Sequence, residues 1–269
     1  MNLIRDTWRE LWQRNRGGGL LTLAFWYTML TALYQYFVAS RLGPSLPASL
    51  QKMMAHPGVI TSFPHLSHAL WVKLLLVYVT FLLVVLPYAV GGLYGGIAAA
   101  LRDRPQYTGF LAFFRFGYLH FWQALGQLLL TIAYTLVLLL ALTGVFVVLS
   151  LVGGSNPVVA ALLVIVALLV MLWLVGTLLY WFGYTFGTGQ SPLKGWWPTV
   201  RWGLGHLKLL YGRMILLVGL LLATLFVVEI LAAGIPVIGA IIMVLVMGMI
   251  VPAFLATYAL LFYQTAGQD

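Results

Sequence analysis

Two short strings in this chain carry the same chemistry. Arg115-Phe116-Gly117-Tyr118-Leu119-His120 recurs 86 residues later as Arg201-Trp202-Gly203-Leu204-Gly205-His206. A guanidinium and an imidazole at matched places in two units would, if a rotational symmetry brought them together, suit a phosphate or carboxylate ligand. The alternative is local: each arginine anchors its own helix to lipid phosphate and each histidine caps or hydrogen-bonds nearby, with duplication alone matching the positions. Glu229 is the one acid inside a long apolar stretch. A charge at the centre of a bilayer costs about 2.5–3.5 kcal/mol or more, which makes such a group a functional suspect. Glu229 lies close to the end of its stretch, so it either reaches the interface and pairs with Lys73 or serves as a proton or cation site.

Other reactive residues offer less. His65 and His68 have a spacing that one helical turn can share with a metal, with His56 farther off, but no acid lies near them and no metal is assigned. Gly187-Thr188-Gly189-Gln190-Ser191-Pro192 lacks the lysine of a phosphate loop and reads as a linker. The acids are Asp6, Glu10, Asp103, Glu229 and Asp269, too few and too scattered for a triad or a carboxylate pair, and cysteine is absent. Acid–base, thiolate and metal catalysis are therefore poorly supplied, and no cofactor is implied.

The elements that must position these residues are membrane helices. Hydrophobic residues form 63% of the 269 and charged residues 7%, against roughly 25% charged in a soluble domain. Six stretches are long enough to cross the hydrocarbon: roughly 18–39, 68–101, 119–150, 157–187, 207–233 and 236–265. Their connections predict an all-α integral membrane protein of six transmembrane helices in three hairpins. The chain reads as one membrane domain, 1–269, with pseudo-repeats 1–101, 102–187 and 188–269. The register also pairs Gly109 with Gly195, Gly126 with Gly212 and Tyr94 with Tyr180. A fainter echo aligns Arg5 and Trp12-Gln13 with Arg115 and Trp122-Gln123.

Basic residues set the orientation. Arg5, Arg9, Arg14, Arg16, Arg102, Arg104, Arg115, Lys194, Arg201, Lys208 and Arg213 fall on one side, and only Arg41, Lys52 and Lys73 on the other. Both termini are expected to be cytoplasmic, with no cleaved signal peptide. Each hairpin is preceded by a stretch expected to form a cytoplasmic interfacial amphipathic helix: 3–15, 108–118 and 193–204. In the first, Leu3, Ile4, Trp8, Leu11 and Trp12 share the apolar face. The net charge of +9 then reflects loops facing anionic lipid, and stacking on nucleic acid is set aside.

Pro87 and Pro252 mark kinks in the second and sixth spans. Gly91, Gly92, Gly95 and Gly96, and Gly183 and Gly187, have the small-xxx-small spacing that lets helix backbones approach closely in lipid. Besides Glu229, the main polar groups in the spans are Gln123, Gln127, Thr131, Tyr134, Thr177, Tyr180, Tyr184 and Thr224.

The run Gly91-Gly92-Leu93-Tyr94-Gly95-Gly96 through Ala100-Leu101-Arg102, followed by Thr108-Gly109-Phe110-Leu111, resembles a broad group of bacterial six-span proteins. That group includes the membrane domain fused in some bacteria to glycerophosphodiester phosphodiesterases. The likeness extends over about 68–233. It implies a lipid- or envelope-linked role in a bacterial cytoplasmic (inner) membrane. No phosphodiesterase domain lies within these residues, and no catalytic residue transfers.

The expected function is binding or transport of a lipid or small amphiphile, with Arg115, His120, Arg201, His206 and Glu229 as candidate ligand-binding residues. A path so poor in polar groups suits a lipid better than a sugar or an ion. The rival is a non-catalytic accessory or scaffold subunit of a membrane transporter or envelope complex. The expected partners are membrane lipids and either a membrane protein or a second copy of the chain.

Overall fold

The apolar runs become helices, and prolines and glycines punctuate them. A computed structural model describes residues 2–13, 19–42, 68–102, 109–153, 157–234 and 236–266. The helices are α1 (Asn2–Gln13), α2 (Gly19–Leu42), α3 (His68–Thr80), α4 (Leu86–Leu101), α5 (Phe110–Leu119), α6 (Phe121–Gly153), α7 (Pro157–Thr188), α8 (Pro192–Gly205), α9 (Leu207–Gly234), α10 (Pro236–Leu245) and α11 (Val251–Ala266). Three of them begin on proline, whose missing N–H costs nothing in the first turn. At the end of α7, Gly189 takes a φ of 72° and its N–H closes on the Thr185 carbonyl at 3.0 Å, the left-handed stop that glycine makes most easily.

Five helical stretches are long and apolar enough to cross a membrane: Trp71–Leu101, Phe121–Val148, Pro157–Thr188, Leu207–Leu231 and Ile241–Ala266. The chain is a multi-pass membrane protein. The 24-residue α2 is long enough but falls outside that set, because Thr, Trp, Tyr and Gln residues interrupt its apolar positions.

Trp71–Leu101 and Ile241–Ala266 each contain one π-helical turn, Phe81–Val85 and Val246–Ile250, directly before the segment that carries Pro87 or Pro252. A proline in a helix removes one hydrogen bond and pushes against the carbonyl four residues earlier, and the wider turn makes room for it. For Pro252 the released carbonyl is that of Gly248. The Thr28 hydroxyl of α2 donates to that same oxygen, so a neighbouring helix restores the lost bond. Tyr34, one helical stretch farther along α2, donates its hydroxyl to the Val77 carbonyl at 2.7 Å and lies 5.4 Å from the Phe81 ring. The single helix α2 thus braces both π-turns. The spans between them in sequence, in α6, α7 and α9, have no proline in their interiors and are continuous.

One pattern of contacts recurs around the molecule. The segments α4, α7 and α11 touch one another at the centre. Between them, α2 lies against α4 and α11, α6 against α4 and α7, and α9 against α7 and α10. Each short helix seats on the span before it, α5 on α4 and α8 on α7, and the first helix, α1, closes the circle by seating on the last, α11.

These short helices and the segments beneath them form a tight collar at one end. Leu11, Leu20, Leu23, Ile97, Phe113, Phe186 and Leu260 belong to one buried cluster, and Leu3, Leu210, Met214, Tyr258 and Phe262 to another. In α1 the buried row is Leu3, Thr7 and Leu11, whereas Trp12, expected on that face, is 57% exposed. Successive buried residues four apart carry the contact to one side of Trp12, which stacks on Trp8 at 6.4 Å instead.

Away from the collar the packing thins. The most apolar window of Phe121–Val148 contains no buried residue. Beyond Thr135, α6 keeps only one half-buried row, Leu138, Leu142 and Phe146. In the outer part of α7 the corresponding row is Val159, Leu163, Ala167 and Val170. The far ends are therefore slender arms with most of their circumference exposed.

Candidate functional site

The glycine run of α4 is a seat for a short helix. A methyl group on Gly91 would meet the Gly117 and His120 carbonyls of the α5 junction at 3.3 Å, and one on Gly92 would meet the Phe113 ring at 2.7 Å. Gly95 faces the His120 ring, and Gly96 faces Leu23 of α2. In α7, Gly183 lies directly against the Ala259 carbonyl of α11, and Gly187 against the Tyr263 ring. Backbone-to-backbone approach between two spans is thus made at Gly183.

Each matched histidine sits at a break between a short helix and the next span. His120 N–H donates to the Phe116 carbonyl at 2.9 Å, and His206 N–H to that of Trp202 at 3.0 Å. The side chains then diverge. His206 stacks on Trp202 with ring centroids 5.3 Å apart, its Nδ1 3.1 Å from the Trp202 carbonyl, and Trp202 stacks on Tyr180 at 4.3 Å. His120 lies between Phe116 and Phe186, with Nδ1 2.7 Å from Gln123 Oε1. That oxygen can only accept, so the imidazole carries its proton on Nδ1 in this pair.

From His120 a polar seam runs up the interface of α6 and α7. Gln123 Nε2 donates to the Thr185 carbonyl at 2.7 Å and to the Gln190 carbonyl at 2.9 Å. Thr185 Oγ1 donates to Gln127 Oε1 at 2.7 Å, and Tyr184 donates its hydroxyl to Gln190 Oε1 at 2.8 Å. The lower seam is saturated. The upper seam is not: Gln127 Nε2, Thr131 Oγ1, the Tyr134 hydroxyl and Trp173 Nε1 are buried without a hydrogen-bond partner. The Tyr134 hydroxyl faces Thr177, whose own hydroxyl donates toward the Trp173 and Leu174 carbonyls, each at 2.9 Å, and keeps its capacity to accept. An orphaned buried polar group costs about 1–3 kcal/mol, so four of them along one seam are a conspicuous expense in a helix pair that is otherwise apolar.

Aromatic rings wall the upper seam. Tyr134 has Trp173, Trp181 and Trp196 around it at 6.4, 6.3 and 6.4 Å. Trp181 is buried and donates Nε1 to the Pro192 carbonyl at 2.9 Å. Trp196, on α8, is 40% exposed. Sequence reasoning named Gln123, Gln127, Thr131, Tyr134 and Thr177 singly and missed Trp173, Trp181 and Thr185. The signal was available: 123, 127, 131 and 134 share one helical face, and 173, 177, 181 and 185 share another.

The repeat register places Arg213 where Gln127 stands in the preceding unit. Arg213 Nη1 donates to Thr265 Oγ1 at 3.3 Å, its guanidinium lies 5.2 Å from the Phe262 ring, and Tyr258 donates to its carbonyl at 3.4 Å. One seam position therefore holds an amide against a threonine in one unit and a cation against a threonine in the other.

Arg115 and Arg201 are exposed on α5 and α8, and Glu229 is exposed near the far end of α9. No ion pair joins Glu229 to Lys73. His68 begins α3, while His56 and His65 lie outside the described residues. Among the described residues no cluster of three potential metal ligands exists.

The chain matches no family model, no curated protein and no solved structure. Its chemistry must be argued from its own residues.

Proposed function

We propose that the chain is a six-span protein of a bacterial cytoplasmic membrane that binds or moves a lipid or small amphiphile. In this reading α2 crosses as the first span, the collar faces the cytoplasm with both termini, and the three units follow the pseudo-repeats of the sequence. The observation that carries the proposal is the contrast between a sealed collar and far arms exposed around most of their circumference. Arms so exposed lie directly against acyl chains, so an amphiphile reaches them sideways and its polar end stops where the collar closes. Arg115, Arg201 and the tryptophans of α8 then meet head groups at the interface.

Native mass spectrometry of the protein released from gently extracted membranes tests this. A bound lipid or amphiphile at fixed stoichiometry is expected. A stoichiometric protein partner with no retained small molecule would replace this reading with that of an accessory subunit.

A further inference from the structure

We infer that the upper seam between α6, α7 and α8 is a binding site for the ester carbonyl region of a membrane lipid, an inference that rests on the lipid-binding reading above. Gln127 Nε2 and Trp173 Nε1 can only donate, and the Thr131 and Tyr134 hydroxyls can donate. All four are buried without a partner, so the complementary group is an acceptor. Gln127 Oε1 accepts from Thr185, and Thr177 Oγ1 faces Tyr134 alone of the four, so Gln127 Nε2, Thr131 and Trp173 Nε1 are the donors left most in need of an acceptor. None of the residues that form the upper seam, Gln127, Thr131, Tyr134, Trp173, Thr177 and Trp181, is an acid or a base. A phosphate or carboxylate would enter such a site without a counter-charge, at a large desolvation cost. A neutral carbonyl loses far less.

The flanks select the rest of the molecule. On the outer faces of α6 and α7, Leu129, Ile132, Leu136, Met171 and Val175 are exposed, an apolar surround suited to acyl chains. Trp181 is pinned by its bond to Pro192, whereas the partly exposed Trp196 is the ring that turns aside to admit the ester. Tryptophan favours the depth at which lipid esters lie, so the movable wall and the recognised group belong to the same layer.

The test offers the purified full-length protein an equimolar mixture of two phosphatidylglycerols, one with ester-linked and one with ether-linked chains of equal length. Retained lipids are counted by native mass spectrometry. The ether lipid keeps the head group and chains but has no carbonyls. An excess of ester over ether of about fivefold is expected, the scale of one or two net hydrogen bonds. The shape-conserving double variant Thr131→Val/Tyr134→Phe should lose the excess, its ester lipid falling to the level of the ether lipid, with thermal stability in detergent equal or higher because two buried hydroxyls are gone. Trp173→Phe, a single-donor change, should lower the excess about twofold. Equal retention of both lipids by the unaltered protein, or an excess that survives both variants, overturns the site while leaving the broader lipid-binding reading in place. Retention of neither lipid overturns both.

Discussion

At the residue scale the decisive features are hydrogen bonds that the helices cannot make for themselves. Thr28 donates to the carbonyl that Pro252 leaves open. Thr28→Val keeps the shape and removes the donor, so it is expected to lower stability by about 1–2 kcal/mol, read by thermal unfolding in detergent. In a Pro252→Ala background the backbone regains its own N–H, and the same valine should then cost much less; a cycle of the four proteins measures the difference. The sequence marks Pro252 as a kink, and the structure places a π-turn before it. Its repair by Thr28 was not legible, because the two residues lie on α2 and α11 and no local pattern ties them together. The same holds for His120 and Gln123, which are readable as neighbours on one strip, whereas their anchors at Thr185 and Gln190 become neighbours only after α6 and α7 pair.

At the scale of elements, small residues decide how closely helices approach. The Gly91–Gly96 run reads as a contact face, but its spacing does not say which element it meets. The structure seats α5 and His120 there, in addition to α2. Gly183 and Gly187 have identical spacing, yet they differ in what they touch: a rigid carbonyl in one case and the edge of a tyrosine ring in the other. Gly183→Ala is therefore expected to cost about 1–3 kcal/mol or more through forced separation of α7 from α11. Gly187→Ala should be nearly silent because Tyr263 can shift. Thermal unfolding of both variants separates the cases, and equal losses would mean that the α7–α11 contact is softer than described. The amphipathic pattern of α1 was also legible from spacing alone, apart from Trp12, whose position at the edge of the apolar face left its side undecided until the partner helix was known.

At the scale of the whole molecule, the contrast between collar and arms is the main finding. Hydropathy reads apolar length but is blind to whether an apolar side chain faces lipid or another helix, so this contrast was not legible in the sequence. Photolysis of a lipid-dissolved carbene precursor, which inserts into any neighbouring bond, is expected to label Leu140 and Val227, both exposed, more heavily than the buried Ile97 and Phe262; equal labelling would mean that the arms are packed. Deleting residues 2–13 should uncover the α11 face of the collar. Burial of Leu3 and Leu11 is worth about 1.5–3 kcal/mol each, so the shortened protein is expected to lose its sharp thermal transition, and an unchanged transition would show that α1 is only a passenger.

The docking of α1 on α11 also has a consequence for biogenesis. Translation makes α1 well before α11, so α1 meets its partner only after Ile241–Ala266 has been inserted. At roughly 5–20 residues per second, that leaves α1 waiting for on the order of 10–50 s, with its apolar row turned toward the membrane surface. An amphipathic helix is stable in that setting without a partner. Completion of the collar is thus a clasp that reports the arrival of α11, and a ribosome stalled before α11 would leave it open.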